Sequence, residues 1–408
     1  MKVLYIHSVP QFGGASRSLY ELVRALRVMD VTPCFVASKG SAQVFFEKVA
    51  ADGVYPSRIS AFNNTRTGFY SGARWLVVLR EIFSLPRTIL SFRRAKRKFG
   101  SVDVIHVNEV IDLPSAIAAR YFFDAPIIFH LRTSFRNRPD SWRSRVILAA
   151  LRKYASAIIA IDKNTRSTLP EYLPINVVHN SLHLDENAFA RNNVERNRRG
   201  TLVVGYVGNL LHSKGIMTLL RAIALLKKQG KDVRLDIVGG GILQRKGVKA
   251  HLINLLGVSD DASEEVVRII EKEGIQDCVT RHGHIDDITS VYRSFDILAF
   301  PSILDAPGRP IFEAGLFGIP SIACISRPQD DTFVDGESGL TVPPGDPEKL
   351  AAAIDHFYGD REEVERMGRN ARDLARKNTN PIVNARHVLK IYGQICLAYE
   401  GNKKEGIA

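Results

Sequence analysis

The hydrophobic pattern divides the chain into two successive stretches that follow the same plan. Short apolar runs, which predict buried strands, lie in the first stretch at residues 2–9, 31–37, 102–107, 126–131, 157–161 and 175–178. In the second stretch they lie at residues 202–207, 233–238, 279–283 and 295–300. Segments with helical spacing of apolar residues alternate with these runs, at 18–26, 75–99, 216–228, 264–273 and 288–294. Such alternation is typical of parallel sheets covered by helices, and therefore predicts an α/β fold.

A polar segment separates the two stretches. It runs through residues 184–200, LDENAFARNNVERNRRG, and contains few apolar residues. We therefore expect a first domain over residues 1–184, a linker over 185–200 and a second domain over 201–378. A further helix is predicted in residues 379–408, beginning near Pro381.

Composition limits the class of protein. With 408 residues and 45% hydrophobic residues, the chain is long enough to form two packed cores. The four cysteines are scattered without a CxxC motif, which indicates reduced thiols rather than a disulfide framework or a zinc site. The segment MKVLYIHSVP predicts a core strand, and no window of 18 residues is apolar and uncharged. These features predict a cytoplasmic protein without a membrane span.

The net charge of +13 is concentrated in the first half of the chain. Residues 1–190 contain 26 Lys and Arg against 14 Asp and Glu, whereas the remainder contains 30 against 29. This asymmetry indicates that the first domain meets an acidic partner, such as anionic lipid, a phosphorylated acceptor or nucleic acid. A basic surface without a specific partner is the alternative.

Two segments of the first domain concentrate this charge. Residues 75–99, WLVVLREIFSLPRTILSFRRAKRKF, predict an amphipathic helix with a basic carboxyl end, which Pro86 is expected to kink or split. Such a helix is suited to an anionic membrane surface, or it is an ordinary packed helix with a solvated end. Residues 132–153 combine basic residues with Phe135 and Trp142, which fits an acceptor-binding loop or single-stranded nucleic acid.

The stretch at residues 300–324, FPSILDAPGRPIFEAGLFGIPSIAC, carries the clearest chemistry. It predicts a strand end, a Pro- and Gly-rich loop, a short helix that starts near Pro310, and a further strand. A loop that leads into a helix presents free N–H groups and a partial positive charge, which suits an anionic ligand. Asp305 and Glu313 flank this loop, and carboxylates accept hydrogen bonds from sugar hydroxyls. The stretch therefore fits a nucleotide-sugar, which has both phosphate and hydroxyl groups.

Other loops are expected beside this stretch. GNLLHSKG, which contains Lys214, and the glycines at 239–241 also follow predicted strands, and the carboxyl ends of parallel strands share one edge of a sheet. In the first domain, Gly13 and Gly14 follow the first strand, while His106 and His130 lie near the ends of later strands. Each of these four residues is as compatible with a structural role as with ligand binding.

These motifs together resemble the GT-B glycosyltransferases of the large retaining family 4, also called glycosyl transferases group 1. The matching segments of the second domain are VGNLLHSKG, DIVGGG, HGHIDDITSVYRSFDILAFPS, DAPGRPIFEAGLFGIPSIA and DGESGLTVPPGDPEKLAAAI. The first domain matches more loosely, through FGGAS, IHVN, IIFHLR and VVHNS. The resemblance implies two Rossmann-like doubly wound domains that face each other across a cleft. It also implies that the helix in residues 379–408 crosses back to the first domain.

The resemblance assigns roles to residues of the second domain. The Glu-x7-Glu motif of the family falls on Asp305 and Glu313, so that Glu313 would hold the donor ribose and Asp305 would face the transferred sugar. Lys214 would bind the diphosphate and stabilise the leaving nucleotide. The remaining donor-binding positions implied in this domain are Asn209, Gly240, Gly308 and Arg309.

Two further roles fall in the first domain. Gly14 would approach the donor across the cleft, and His130 would lie beside the transferred sugar. Together with Asp305 and Lys214, His130 forms the implied catalytic set.

Three positions depart from the family pattern. Asn209 stands where Arg is frequent, Asp305 replaces the first Glu, and Pro307 removes an N–H donor from the loop. These departures imply a different donor sugar, weaker catalysis or donor binding without turnover. Arg309 is unusual at its position and offers a replacement for the missing positive charge.

The implied activity is retaining transfer of a hexosyl group from a UDP- or GDP-linked sugar to a hydroxyl group of a glycan or lipid-linked acceptor. This activity suits the synthesis of cell-surface polysaccharide or glycolipid, at the inner face of the membrane. The family generally needs no metal ion, the chain has no Asp-x-Asp motif, and no cofactor is expected beyond the donor substrate. A nucleotide-sugar epimerase, a dinucleotide-dependent oxidoreductase and a nucleic-acid-binding protein are the alternatives, but GxGxxG with a following acidic residue is missing.

Overall fold

The computed structural model describes residues 1–62, 75–135, 141–183, 200–240, 261–285 and 288–404. The chain divides into two compact units, which we call unit 1 (Met1–His183 and Thr379–Ala408) and unit 2 (Leu184–Asn378). Apart from Gly200, the predicted linker at residues 185–200 lies outside the described residues. The predicted α/β class is confirmed, since each unit is built on a sheet of parallel strands.

Unit 1 contains a seven-stranded sheet with the strand order β3-β2-β1-β4-β5-β6-β7. Its strands are β1 (Lys2–His7), β2 (Thr32–Ala37), β3 (Asp52–Val54), β4 (Val104–Val107), β5 (Ile127–Leu131), β6 (Ala157–Ala160) and β7 (Ile175–Val177). Every neighbouring pair is parallel. Apolar side chains on both faces of the central strands are buried, which explains why these strands appear in the sequence as short continuous apolar runs.

The described helices of unit 1 cover both faces of this sheet. They are α1 (Gly14–Arg27), α2 (Ser41–Val49), α3 (Trp75–Phe99), α4 (Leu113–Arg120), α5 (Trp142–Tyr154), α6 (Lys163–Ser167) and α13 (Pro381–Lys404). Helix α13 packs onto the face that carries Tyr5 and Ile128. Its Tyr392 is fully buried, and the hydroxyl group lies 2.6 Å from Nδ1 of His106 in β4.

Pro86 was expected to kink or split α3, and the split is wrong, since one helix runs from Trp75 to Phe99. Proline removes the hydrogen bond to the carbonyl group four residues earlier, that of Ile82. Both Ile82 and Pro86 are exposed, so water can bond this carbonyl group. The inward face of the helix at this level is formed by Ser84 and Thr88, whose hydroxyl groups donate to carbonyl oxygens within the helix.

Unit 2 contains a six-stranded parallel sheet with the order β10-β9-β8-β11-β12-β13. Its strands are β8 (Leu202–Val207), β9 (Val233–Val238), β10 (Val279–Gly283), β11 (Ile297–Phe300), β12 (Ser321–Ala323) and β13 (Gly339–Thr341). Its described helices are α7 (Ile216–Lys228), α8 (Ser263–Lys272), α9 (Ile288–Tyr292), α10 (Arg309–Leu316), α11 (Pro347–Gly359) and α12 (Arg361–Thr379). Separate apolar clusters fill the two faces of the sheet. Among the described residues of both units, no helix is long and apolar enough to cross a bilayer.

Candidate functional site

The candidate site of unit 2 lies where β8 and β11 end. These strands are neighbours in the sheet, although the chain forms β9 and β10 between them. The connections on either side therefore leave in opposite directions, and this topology opens a crevice at the carboxyl ends of the two strands. The loops that follow β8, β9 and β11 all begin at this edge.

The loop after β8 is fixed to the loop after β9 by backbone hydrogen bonds. The N–H group of Gly208 donates to the carbonyl oxygen of Val238 over 2.9 Å, and that of Leu210 donates to Gly240 over 3.1 Å. Both contacts are between backbone groups, so they do not depend on the side chains of the two loops.

Glycine is required where these two loops touch. Gly239 has a φ angle of +132°, and a Cβ atom there would lie 2.0 Å from the carbonyl oxygen of Gly208. A Cβ atom at Gly240 would meet no atom within 4 Å, so this residue borders open space. Asn209 lies beside the pair, and its carbonyl oxygen accepts a 2.9 Å hydrogen bond from the hydroxyl group of Tyr206.

The loop after β8 also touches the loop after β11. Gly215 adopts a φ angle of +71°, and a Cβ atom there would lie only 1.8 Å from the carbonyl oxygen of Pro301. The N–H group of Ile303 donates to the carbonyl oxygen of Ser213 over 3.1 Å. The backbone on either side of Lys214 is thus held against the start of the loop that contains Asp305.

Phe300 lies between Lys214 and the beginning of α10. The Nζ atom of Lys214 is 5.7 Å from the centre of the Phe300 ring, which is within the range of a cation–π contact. A Cβ atom at Gly308 would lie 2.5 Å from the same ring, so only glycine fits there. Lys214 and the N-terminus of α10 therefore face the same ring, and both supply positive charge.

Asp305 occupies a strained position in the loop. Its φ angle is +51°, a left-handed conformation that Asp tolerates better than most residues. Its Oδ1 atom accepts a 2.6 Å hydrogen bond from the N–H group of Ser326, which follows β12. This carboxylate therefore helps to shape the loop.

Glu313 is buried in α10 with two partners. Its side chain is 4% exposed, its Oε1 atom lies 3.1 Å from Nε of Arg309, and its Oε2 atom accepts a 2.9 Å hydrogen bond from the hydroxyl group of Tyr292. A buried carboxylate needs such compensation. The pair with Arg309 spans one helical turn and places a guanidinium group in the first turn of α10.

The three loops thus combine two kinds of chemistry. Lys214 and the N–H groups that begin α10 can stabilise the negative charge of a diphosphate. The carboxylates of Asp305 and Glu313 can accept hydrogen bonds from hydroxyl groups. The described part of the chain contains no cluster of His, Cys, Asp and Glu suited to a metal ion.

Gly14, in unit 1, is the first residue of α1. The preceding residue, Gly13, is the N-cap, and its N–H group donates a long, 3.5 Å hydrogen bond to the Oγ atom of Ser16. Nearby, the Oγ atom of Ser16 lies 3.2 Å from Nε2 of His7. The backbone at Gly14 is therefore the first part of a helix N-terminus next to the carboxyl end of β1.

His130 is enclosed within unit 1. Its ring is 1% exposed and lies 5.2 Å from the ring of His106, and neither of its nitrogens has a hydrogen-bond partner among the residues that the structure describes. Burial, with a contribution from the positive charge of Arg132, holds the pKa of His130 well below its ordinary value. The structure thus places a neutral imidazole under the carboxyl edge of the sheet.

A polar network at this edge links three strand ends. The Nε atom of Arg132 donates to Oδ1 of Asn108 over 2.9 Å, and its Nη1 atom donates to Oδ1 of Asn180 over 2.5 Å. Glu109 accepts hydrogen bonds from the N–H group of Arg132 and the hydroxyl group of Thr133, over 3.1 and 3.0 Å. Among these residues, neither Arg132 nor Thr133 was singled out by the sequence, although both directly follow β5.

Asp112 is a second acidic group that the sequence did not reveal. It is fully buried, and its Oδ2 atom accepts a 3.3 Å hydrogen bond from the N–H group of Ser8, whereas Oδ1 has no partner in the described part of the chain. Burial raises the pKa of Asp112 to about 7, and it raises the pKa of Glu109 to about 7 despite the hydrogen bonds to that carboxylate. The only available signal was an acidic residue five positions after an apolar strand.

Comparison with protein families agrees with this arrangement in both units. The family described as "Glycosyl transferases group 1" matches residues 189–374, and the family described as "Glycosyltransferase Family 4" matches residues 12–186. The two matches meet where unit 1 and unit 2 divide.

Characterised relatives match only part of their own length. A D-inositol 3-phosphate glycosyltransferase of Corynebacterium kroppenstedtii is 30% identical over 195 residues, which cover 47% of this chain and 40% of the relative. The capsular polysaccharide biosynthesis glycosyltransferase CapM of Staphylococcus aureus is 26% identical over 170 residues, covering 42% of this chain and 40% of the relative. The matched part thus spans less than half the length of either protein.

Solved structures share the whole fold. The crystal structure of Anabaena HepE in complex with UDP-glucose superimposes with a TM-score of 0.72 over 97% of this chain and all of that chain, at 19% sequence identity. This similarity extends over the order of elements in both units and concerns the fold alone.

Proposed function

The chain belongs to the GT-B glycosyltransferases of family 4, or group 1, and from this premise we propose that it is a retaining glycosyltransferase. The reaction moves a hexosyl group from a UDP- or GDP-linked sugar to a hydroxyl group of a glycan or lipid-linked acceptor. One observation carries the proposal: Lys214 and the first turn of α10, which leads from Gly308 and Arg309 to Glu313, lie against the same Phe300 ring at the end of β11.

In the proposed complex the diphosphate lies against Lys214 and the first N–H groups of α10. Negative charge grows on the diphosphate as the glycosidic bond breaks, and these fixed groups stabilise it without rearranging. The departing phosphate accepts the proton of the acceptor hydroxyl. Gly240 and Gly308 allow the donor to approach the backbone, because side chains would fill the space or meet Phe300.

Glu313 is proposed to hold the ribose, which requires an exchange of partners. Both of its oxygens are engaged, one by Arg309 and one by Tyr292. We infer that ribose hydroxyls replace Arg309 at Oε1 while Tyr292 keeps Oε2. The released guanidinium group then turns to the diphosphate and supplies the charge that Asn209 lacks.

The roles proposed in unit 1 concern the donor, the transferred sugar and the acceptor. Gly14, which has no side chain, lets the donor approach the N-terminus of α1, and His130 offers a neutral imidazole as a hydrogen-bonding group beside the transferred sugar. The excess of basic residues in the first 190 positions favours an acidic acceptor. The relative that acts in capsular polysaccharide biosynthesis supports a glycan of the cell surface as the product.

The donor site is tested by measuring transfer and donor binding in point variants. Lys214→Ala and Glu313→Ala should each lower transfer at least about a hundredfold, since each removes a charged contact with the donor. Lys228→Ala is the matched control, because Lys228 is an exposed lysine of the same unit that pairs with Glu273. Normal transfer by both site variants would refute the assignment.

Donor binding without turnover is a second candidate, because Asp305 is bonded to Ser326. Asp305→Asn keeps an oxygen acceptor for that hydrogen bond but removes the charge. If Asp305 acts at the transferred sugar, this variant loses transfer by about tenfold or more while the dissociation constant for the nucleoside diphosphate stays within about twofold. Equal losses of both quantities would favour a role in shaping the loop.

A further inference from the structure

Helix α3 exposes an apolar surface on the side that faces away from unit 1. Its buried stripe is formed by Ser84, Thr88, Phe92, Ala95 and Phe99. The opposite side carries the exposed residues Ile82, Phe83, Pro86, Ile89 and Leu90 in the middle of the helix, where Arg87 is exposed as well. Phe83 is 77% exposed, which is unusual for an aromatic side chain without a polar group.

The same outward side becomes basic in the second half of α3. Exposed residues there are Arg93, Arg94, Lys96, Arg97 and Lys98. Glu81 is the single acidic residue of the entire helix sequence. An apolar half followed by a cationic half along one face suits an interface where a hydrocarbon layer lies next to anionic groups.

Helix α5 repeats this arrangement. Its buried face carries Ser144, Ile147 and Leu151. Trp142 in its first turn is 77% exposed, and the exposed Val146 lies one turn later on the same side. The last turn ends in the exposed residues Arg152 and Lys153, and the helix contains no acidic residue.

One segment of unit 1 contacts both helices. The segment at residues 60–62 joins them: the N–H group of Ser60 donates to Oγ1 of Thr88 in α3 over 2.8 Å. The guanidinium carbon of Arg143 in α5 lies 5.1 Å from the centre of the Phe62 ring. The middle of α3 and the first turn of α5 are thus both held by residues 60–62.

The topology sets the position of this surface. Helix α3 follows β3 and helix α5 follows β5, so both helices start at the carboxyl edge of the sheet. A helix of 25 residues is about 37 Å long, whereas the four residues of β4 extend over about 13 Å. The first half of α3 therefore projects beyond the edge at which the polar network of Arg132 and Glu109 lies.

We propose that the outward faces of α3 and α5 form one docking surface for an anionic lipid bilayer. Phe83, Ile89, Leu90 and Trp142 enter the boundary between headgroups and acyl chains, and the basic second halves contact the anionic headgroups. The charge of the surface argues for this occupant, since α3 and α5 together contain eleven Lys and Arg and one acidic residue. Two copies of so cationic a surface would repel each other.

For the proposed function, docking would bring the carboxyl edge of unit 1 to the membrane where lipid-linked acceptors lie. This consequence rests on the proposed function, but the docking itself does not. Vesicle binding is therefore measured without donor or acceptor, so that failure of the transfer reaction leaves the result unaffected.

The test is flotation of the full chain with vesicles of phosphatidylcholine, with and without about one third phosphatidylglycerol. The wild-type chain should float with the anionic vesicles and be released by about 1 M salt. Phe83→Ser combined with Trp142→Ser should lower the partition coefficient at least about tenfold. Tyr121→Ser is the matched control, since Tyr121 is 82% exposed elsewhere on unit 1, and it should change partitioning less than about twofold.

Charge reversal tests the basic halves. Arg94→Glu with Arg97→Glu should lower binding to anionic vesicles at least about tenfold, whereas Lys272→Glu with Arg369→Glu, in unit 2, makes the same change in net charge and should have a much smaller effect. Equal effects of the two pairs would show that only net charge matters and would overturn the proposal.

Fluorescence locates the contact. The chain has two tryptophans, so Trp75→Phe leaves Trp142 as the single reporter. Brominated acyl chains should quench Trp142 when vesicles bind. Flotation without quenching, absence of flotation, or a dimer that Phe83→Ser dissociates while vesicle binding persists would each overturn the proposal. Circular dichroism confirms that each variant is folded.

Discussion

The contact between Gly215 and Pro301 allows the cost of disturbing the donor site to be worked out in advance. Gly215→Ala introduces two separate penalties. An alanine at a φ angle of +71° costs roughly 1–2 kcal/mol relative to glycine. The new methyl group would also lie 1.8 Å from a carbonyl oxygen, about 1.5 Å closer than a normal contact, so the two loops must move apart.

The second penalty can be isolated because the chain contains a matched position. Gly230 has a φ angle of +74°, and a Cβ atom there meets no atom within 4 Å. Gly230→Ala should therefore cost only the roughly 1–2 kcal/mol of the backbone conformation. Overpacking typically adds about 1–3 kcal/mol, so Gly215→Ala should be less stable than Gly230→Ala by that amount.

Urea unfolding of the full chain, followed by far-ultraviolet circular dichroism, measures this difference. Tryptophan fluorescence serves as an internal reference, since Trp75 and Trp142 both belong to unit 1. The same displacement moves Lys214, so donor affinity should fall at least about tenfold in Gly215→Ala and stay unchanged in Gly230→Ala. Equal unfolding midpoints and equal donor affinities in the two variants would refute the reasoning.

Two further variants test groups with charged or titrating side chains. Arg309→Ala should weaken binding of a nucleoside diphosphate about tenfold or more, because the guanidinium group is expected to turn to the diphosphate. Calorimetry measures this affinity. Tighter binding would show that Arg309 merely blocks Glu313. The raised pKa of Asp112 means that the folded state holds a proton which the unfolded state releases above about pH 4, so this residue's contribution to stability falls as the pH rises towards 7. Asp112→Asn should therefore gain about 2–3 kcal/mol relative to the wild-type chain between pH 5 and pH 8 in urea unfolding, and a constant difference would contradict the assignment.

Length alone does not separate the strands that the sequence predicted from those that it missed, since the three-residue strands β7 and β12 were predicted. β1 and β8 are buried six-residue strands, so their apolar residues form unmistakable runs. β3 (Asp52–Val54) and β13 (Gly339–Thr341) have three residues each and include Asp or Gly, so they offer no pattern to detect. They are strands because a neighbouring strand is available for pairing, which is a property of the assembled sheet.

The sequence predicted which loops form the candidate site, but it did not predict the hydrogen-bond partners of their side chains. Parallel strands end at one edge, so the loops carrying Lys214 and Asp305 had to start close together. The partner of Glu313 was not predictable, because Tyr292 lies 21 residues earlier, in a separate short helix. Likewise, the sequence placed His130 near a strand end, but only the packing of α13 places its neighbour His106 against Tyr392.

The contact between Tyr392 and His106 also determines the order in which the chain can mature during synthesis. The sheet of unit 1 is complete once residue 177 has been made, but the helix that completes the cover of one of its faces ends at residue 404. At typical rates of translation, about 5–20 residues per second, roughly 10–45 s separate these events. For that time the ribosome carries a nascent sheet whose face is covered by α1 and α2 but not yet by α13, while the whole of unit 2 emerges. Helix α13 is therefore the last element to complete the core of unit 1.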